Sequence, residues 1–317
     1  MSDATTPREA PRSPGEQPRI HVTLSTASVY PRKAQYAFEA AADLGYDGVE
    51  VMVWSDETTQ DAAALRRLSA EHDVPIRSIH APTLLVSQRV WGRSPGPKLR
   101  RSVELAQEGG ACTVVVHPPI RCEYRYAREF EDLVGELDET EGVTIAVENM
   151  YPWRSRKREM QAYLPGWDPS EHGYEHVTLD LSHAAVAQQD ALALLDVFDG
   201  RLAHVHLADG SSSITDEHLV PGRGDQPCDL VLAELVRRGW EGDVVVEIST
   251  RRARTAAERR EDLAASLFFA RTYLTPGPHP GYSPPPGPPH RHVDAWGEAE
   301  AREIAAAEDA AGSAGTG

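Results

Sequence analysis

The sequence predicts a single closed (β/α)8 barrel, an α/β fold, and two regularities support this prediction. Eight short runs rich in β-branched residues alternate with segments whose apolar residues recur at helical spacing. This alternation occupies roughly 250 residues, the usual length of such a barrel, whereas an open doubly wound sheet generally has fewer parallel strands. We therefore expect parallel strands inside and helices outside.

The elements follow one another regularly along the chain. The predicted strands are, in order, IHVTLS, GVEVMVW, PIRSIHAP, CTVVVHPP, VTIAVENM, HVTLDLSH, LAHVHLAD and GDVVVEIS. Segments with helical spacing, such as DAAALRRLSAEHD and CDLVLAELVRRGW, separate them. Glycines such as Gly45 and Gly239 precede the next strand, where a left-handed helix end is expected. The barrel is expected to cover residues 19–274.

The two ends of the chain have compositions that do not favour packing. Residues 1–18 contain prolines and acids but no apolar segment of a secretory signal, and residues 275–317 are rich in Pro, Gly and Ala. We expect both to be disordered tails. No run approaches the roughly 18 apolar residues of a membrane span. The three cysteines are far apart and odd in number, so we expect no disulfide framework and a reducing cytoplasmic location.

Charge and motifs exclude some functions. The 32 Lys and Arg residues against 49 Asp and Glu give a net charge of −17, which disfavours nonspecific binding to nucleic acid or an anionic membrane. No G-x-G-x-x-G follows the first strand, and no P-loop motif occurs. Neither a dinucleotide-binding domain nor a P-loop nucleotide-binding domain is therefore expected.

Polar residues cluster at the ends of the third to eighth predicted strands. They are His80, His117, Glu148, Asp180, His183, His206, Asp209 and Glu247. Because barrel active sites lie at the carboxyl ends of the strands, we expect these side chains to converge on one mouth. The residues two positions earlier should fill the layer beneath: Ser78, Val115, Ala146, Thr178, His204 and Val245.

Such a ring of carboxylates and imidazoles is typical of a metal site. A single His or Glu at a strand end is usually a solvated or locally paired residue, and this alternative stays open for each position taken alone. Several carboxylates buried together, however, repel one another unless a cation or protons offset the repulsion. The mixture of oxygen and nitrogen donors suits one divalent metal: Mn²⁺, Mg²⁺, Co²⁺ or Zn²⁺.

Seven segments, in this order, resemble a known family. They are IHAP, VVVHP, AVEN, LDLSH, HVHLAD, DEHLVPGRGD and VVEI. Over residues 19–274 the chain is similar to the xylose-isomerase-like TIM barrel superfamily, which contains sugar and sugar-phosphate isomerases and epimerases and also apurinic endonucleases of the endonuclease IV type.

The resemblance implies a ligand set and a mechanism. Glu148, Asp180, His206 and Glu247 would bind one divalent metal. Glu148 and Glu247 would also be the catalytic acid/base pair, moving a proton through an enediolate. His80, His183 and Arg223 would bind the substrate, and the Arg223 guanidinium would hold an anionic oxygen. The implied function is a sugar or sugar-phosphate isomerase or epimerase.

The endonuclease branch is the alternative. Its additional ligands, which give a site of up to three zinc ions, are matched here by His80, His117, His183, Asp216 and His218. Two segments depart from that branch: RIHVTLSTAS lacks a Gly-x-His-x-Ser pattern, and VWSDETTQD is acidic where an Asn-Pro-Arg-x-Trp-like loop belongs. A loop that faces DNA should be basic. Nucleic acid is therefore expected as a partner only on this alternative.

Basic residues in three loops favour a small anionic sugar as substrate, although a neutral polyol stays open. They are Arg89, Arg93, Lys98, Arg100, Arg101, Arg121, Arg125, Arg128, Arg154, Arg156, Lys157 and Arg158. The segment from Met150 to His176 is long enough for a lid. A third hypothesis, a binding barrel without catalysis, is disfavoured by the presence of both Glu148 and Glu247. A homo-oligomer is left open.

Overall fold

The eight predicted strands form a closed parallel barrel. The computed structural model describes residues 19–276 except 85, 86, 88, 89, 156 and 157. The barrel strands are β1 (Ile20–Ser25), β2 (Val49–Met52), β3 (Ile76–His80), β4 (Thr113–Val116), β5 (Thr144–Glu148), β8 (His176–Asp180), β9 (Leu202–Leu207) and β10 (Gly242–Val246), and a separate hairpin contains β6 (Trp153–Ser155) and β7 (Arg158–Met160). Their order around the barrel is β1-β10-β9-β8-β5-β4-β3-β2. The predicted (β/α)8 barrel is confirmed.

Helices follow the strands along the chain. They are α1 (Ala34–Leu44), α2 (Ala62–His72), α3 (Pro95–Gly109), α4 (Tyr124–Glu141), α5 (Leu181–Ala187), α6 (Ala191–Phe198), α7 (Cys228–Arg238) and α8 (Ala256–Tyr273). Gly45 and Gly239 end α1 and α7 with φ of 86° and 66°, as their positions predicted. Within the described part of the chain, none of the helices combines the length and apolar composition that crossing a bilayer requires. The predicted tails lie outside the described residues, apart from Thr275 and Pro276.

Alternation along each strand separates two buried layers. On β4 and β5, Val114, Val116, Ile145 and Val147 join the large apolar cluster that also contains the buried faces of the helices. The intervening residues are buried but absent from that cluster, because they point into the barrel. The inward residues of β8 and β9 are polar: Thr178, Asp180, His204 and His206. Polar side chains therefore line much of the barrel interior.

The segment between β5 and β8 is packed onto the barrel rim. The hairpin of β6 and β7 is antiparallel. A second apolar cluster lies beneath it and contains Ile120, Met150, Tyr151, Ala162, Tyr163, Val186 and Ala187. The Arg154 guanidinium donates to the Val186 carbonyl at 2.8 Å, which ties the hairpin to α5. These contacts give the segment a structural role at the edge of the mouth.

Candidate metal centre and active site

Three carboxylates converge on one imidazole nitrogen at the carboxyl end of the barrel. Nδ1 of His206 lies 2.8 Å from Oε1 of Glu148, 2.8 Å from Oε2 of Glu247 and 3.5 Å from Oδ2 of Asp180. One donor atom from each of the four residues lies within 4.8 Å of the other three. The structure thus brings together all four residues of the predicted single-metal set.

Adjacent strands position this cluster. Glu148 and Asp180 are the last residues of β5 and β8, His206 is the next-to-last residue of β9, and Glu247 directly follows β10. Asn149 joins two of these strands, because its side chain accepts from the Asp180 amide at 2.7 Å and donates to the Asp180 carbonyl at 3.1 Å. This clamp was not anticipated from the AVEN segment.

Asp180 has two separate tasks. Its Oδ1 accepts from the backbone N–H of His183 at 2.7 Å and caps α5, so His183 lies in the first turn of a helix and not on the strand. Its Oδ2 is buried and has no hydrogen-bond partner among the described residues. A buried carboxylate oxygen without a donor is unfavourable unless a cation neutralises it. The donor set therefore fits a divalent cation, with three oxygens and one nitrogen.

A second group shares Glu148. Its other oxygen, Oε2, lies 3.2 Å from Nε2 of His80 and 2.8 Å from Nε2 of His117. Burial alone would raise the pKa of the Glu148 carboxyl, but His206 and His117 outweigh it and hold the pKa well below its usual value. Glu148 is therefore an ionised carboxylate whose two oxygens face two different sets of imidazoles.

A third group lies beside the first. Oδ2 of Asp216 is 3.4 Å from Nε2 of His183 and 2.9 Å from Nε2 of His218. The opposite nitrogens of these rings donate to backbone: His183 Nδ1 to the Asn149 carbonyl at 2.9 Å, and His218 Nδ1 to the Glu247 carbonyl at 2.7 Å. Burial lowers the pKa of His218, but Asp216 outweighs burial and raises that pKa to about 10. The five additional residues of the three-zinc alternative therefore also lie in this centre.

An open cavity leads to the cluster. It encloses about 830 Å³, including the space at its open mouth. His80, His117, Glu148, His183, Asp216, His218 and Glu247 line it, whereas Asp180 and His206 are fully buried behind them. The remaining wall is largely apolar and includes Met52, Trp54, Pro82, Leu84, Met150 and Tyr151. A small molecule in this cavity would contact the carboxylates on one side and apolar surface on the other.

The structure does not bring Arg223 into the cavity. Its guanidinium donates to Asp262 on α8 at 2.7 Å, and both side chains are mostly buried. Arg251 instead lines the cavity, and its guanidinium lies over the Tyr30 ring, 4.2 Å from the ring centre. Arg251 is the single Lys or Arg among the described residues that line the cavity, and the sequence analysis had not singled it out.

The basic loop residues mostly have structural partners. Lys98 is buried and donates to the carbonyls of Pro82 and Ser87 at 3.0 and 2.8 Å. Burial lowers its pKa to about 8. Arg100 pairs with Glu136, and Arg101 lies over the Trp91 ring. Arg89, Arg156, Lys157 and the side chain of Arg158 lie outside the described part of the chain.

Two buried residues beneath the cluster were missed. Glu50 on β2 is completely buried, and its Oε2 accepts from Ser78 Oγ at 2.8 Å and His204 Nε2 at 2.9 Å. His204 had been expected only as a filler of the lower layer. A carboxylate inside the otherwise apolar strand VEVM was the available signal, because such a residue needs buried partners.

The sequence of residues 38–273 matches the family described as the xylose isomerase-like TIM barrel. The uncharacterized protein ML2432 of Mycobacterium leprae is 50% identical over 277 residues, which are 81% of this chain and 99% of that protein. The chain belongs to the xylose isomerase-like TIM barrel family. Fructoselysine 3-epimerase of Shigella flexneri is 22% identical over 241 residues, covering 68% of this chain and 85% of the enzyme.

Solved structures agree on the fold. A D-tagatose 3-epimerase-like protein superposes with a TM-score of 0.57 at 21% identity, covering 80% of this chain and 100% of that one. An AP endonuclease, family 2, from Brucella melitensis superposes with a TM-score of 0.53 at 22% identity, covering 74% and 94%. The prediction of the superfamily is confirmed, and both branches considered from the sequence are represented among these neighbours.

Proposed function

We propose that this protein is a divalent-metal-dependent isomerase or epimerase of a small sugar or sugar derivative. The observation that carries the proposal is the convergence of Glu148, Asp180 and Glu247 on Nδ1 of His206 at the end of an open cavity. These four residues would hold one Mn²⁺, Mg²⁺, Co²⁺ or Zn²⁺. When bound, the cation polarises a substrate carbonyl and so acidifies the neighbouring C–H bond.

Glu148 and Glu247 would transfer the proton. Both carboxylates line the cavity, and they reach the cluster from β5 and β10, which are separated on the barrel by β8 and β9. One carboxylate can therefore remove a proton from one side of a substrate carbon while the other returns it on the other side, with an enediolate between the two steps. His80 and His183 line the same cavity and would donate hydrogen bonds to substrate hydroxyls.

The relatives support this class of chemistry. One relative is a fructoselysine 3-epimerase, and one structural neighbour is described as D-tagatose 3-epimerase-like. The apolar wall with Trp54 and Tyr151 suits the C–H face of a sugar ring. If the substrate is anionic, Arg251 is the side chain that would pair with its negative group, in place of Arg223. A reducing cytoplasm would suit such an enzyme, because its three cysteines are free.

The test is proton exchange at carbon. The protein, loaded with Mn²⁺, is incubated in D₂O with a panel of ketoses and ketose phosphates, and NMR follows the loss of C–H signals. We expect deuterium to enter one substrate at a single carbon next to the carbonyl. Glu148→Gln and Glu247→Gln serve as matched controls that keep side-chain size but remove the base. Absence of exchange with every ketose would contradict the proposal.

A second candidate function is favoured by one specific observation. Glu148 presents its two oxygens to two sets of imidazoles, and Asp216 joins two further imidazoles, so nine side chains could form three adjoining cation sites. Such a cluster would suit an abasic-site phosphodiesterase with three zinc ions. The apolar cavity wall and the excess of acidic residues disfavour a DNA partner. Efficient nicking of an abasic duplex with about three zinc ions per chain would establish this alternative.

A further inference from the structure

A buried carboxylate lies directly behind the imidazole on which the cluster converges. Nε2 of His206 is 3.2 Å from Oε1 and 3.4 Å from Oε2 of Glu50, while Nδ1 of the same ring faces the other three carboxylates. Ser78 and His204 donate to Oε2 of Glu50 and fix its orientation. The imidazole of His206 is therefore held between one carboxylate below and three above.

This arrangement determines which nitrogen is free to bind a cation. A neutral imidazole carries its proton on one nitrogen and has a lone pair on the other, and the hydrogen bond made by the protonated nitrogen selects between the two forms. We propose that Glu50 is a positioning residue, which holds the Nε2–H of His206 and so directs the Nδ1 lone pair toward a cation bound by Glu148, Asp180 and Glu247. The inference rests on the proposed metal site.

The placement of Glu50 argues for this role over simple packing. Its neighbours on β2, Val49 and Val51, belong to the apolar cluster, so a carboxylate at this position is unfavourable without strong partners. Its Oε2 lies within hydrogen-bond distance of three side chains, and one of them, His206, is a predicted metal ligand.

An alternative role for Glu50 is to bind a cation directly, and this alternative differs in its chemistry from the role as a positioning residue. Glu50, His204 and His206 lie close enough together to bind a cation themselves. A cation there would occupy Nε2 of His206, so that Nδ1 could bind a second cation only as part of an imidazolate. The upper cluster has three carboxylates and opens to the cavity, whereas Glu50, His204 and His206 are all completely buried. The geometry favours a cation at Nδ1.

The test reads the two nitrogens directly. Protein with ¹⁵N-labelled histidine is titrated with ¹¹³Cd²⁺, and the His206 signals are assigned by their loss in His206→Asn. We expect a cadmium coupling to Nδ1 of His206 and a retained Nε2–H signal. Coupling to Nε2 would overturn the inference. This measurement on the wild-type chain remains decisive even if a variant at position 50 does not fold.

Affinity supplies the second readout. We expect Glu50→Gln to weaken Cd²⁺ binding by roughly 10–100-fold, the usual effect of losing a partner behind a metal ligand. Thr178→Val is the control, because Thr178 is equally buried beside His204 on the neighbouring strand and its hydroxyl has no hydrogen-bond partner among the described residues. If a folded Glu50→Gln variant bound Cd²⁺ with unchanged affinity, the role of Glu50 would be refuted while the proposed metal site would stand. A wild-type chain that binds no cation would refute the proposed metal site as well.

Discussion

Buried carboxylates in two parts of the barrel rim have different partners. Asp209, three residues after His206, accepts from four backbone N–H groups, those of Gly210, Gly222, Gly224 and Gln226, at 2.8–3.0 Å. Glu148, Asp180 and Glu247 instead share Nδ1 of His206, and Asp180 keeps one buried oxygen without a donor in the described part of the chain. All four carboxylates are buried at the same end of the barrel.

The difference distinguishes a structural acid from a functional one. The four backbone N–H groups satisfy the Asp209 carboxylate and hold the loop of residues 210–226 against it. Asp209 therefore needs no bound ligand. One imidazole nitrogen cannot donate a hydrogen bond to all three carboxylates around His206, and two of these carboxylates, Glu148 and Glu247, line the cavity. A position at a strand end indicated a functional role for Asp209 and for the carboxylates around His206 alike. The hydrogen-bond donors around each carboxylate distinguish the structural acid from the functional ones.

The largest effect is expected from the two glutamates that line the cavity. Glu148→Gln or Glu247→Gln should lower turnover by roughly 10²–10⁴-fold, because the amide cannot take up a proton. The fold should persist, since the change keeps side-chain volume. Turnover is compared with thermal unfolding of the same samples. Normal turnover in either variant would refute its role as base.

Asp209→Asn should affect stability and not the metal. The amide NH₂ group would face backbone N–H donors, and we expect a loss of about 2–4 kcal/mol in the free energy of unfolding. Urea denaturation measures the loss, and metal analysis of the folded fraction is the control. A folded variant that no longer binds metal would erase the proposed distinction between the two regions.

The pH dependence should differ between the metal-free and the metal-loaded protein. In the metal-free protein, burial lowers the pKa of His206 and His218, but nearby carboxylates outweigh it, so both are raised above 6.5. Their protonated forms stabilise the fold fully below pH 6.5, and this contribution is lost as pH rises, for His218 through about 10. Glu247, whose pKa is lowered below 4.5, contributes above that pH and loses its contribution only in acid.

A cation bound by Nδ1 of His206 should therefore stabilise the protein more at pH 8 than at pH 6, since it replaces the proton on that nitrogen. The gain should approach about 1.4 kcal/mol per pH unit for each proton displaced. Thermal unfolding with and without saturating Mn²⁺ at several pH values measures it. Stabilisation by Mn²⁺ that is independent of pH would argue against His206 as a ligand.

The smallest effect on turnover is expected at Arg223. Its partner is Asp262, outside the cavity, and both side chains are mostly buried, so Arg223→Ala should lower the free energy of unfolding by about 3–5 kcal/mol but leave kcat/KM of the folded protein unchanged. Arg251→Ala is the matched comparison and should raise KM for a phosphorylated ketose. A selective rise of KM in Arg223→Ala would return this residue to the substrate site.

The sequence predicted the barrel and the polar rim because both depend on local patterns. Strand length, the glycines that end helices and the two-residue alternation predicted that Glu148, Asp180 and His206 lie near the carboxyl ends of their strands, which is where the structure has them. The pairing of Arg223 with Asp262 joins residues 39 positions apart, so no local pattern could predict it. Glu50 was not predicted because it lies two residues before the end of β2, in a predicted strand that has no His, Asp or Glu at its end.

The central claim is that one cation is bound by Glu148, Asp180, His206 and Glu247. Crystals soaked in Mn²⁺, with anomalous diffraction measured on both sides of the manganese edge, test it most directly. We predict one strong anomalous peak in contact with Oδ2 of Asp180 and Nδ1 of His206. A structure without a peak there, or with manganese only at other sites, would contradict the claim.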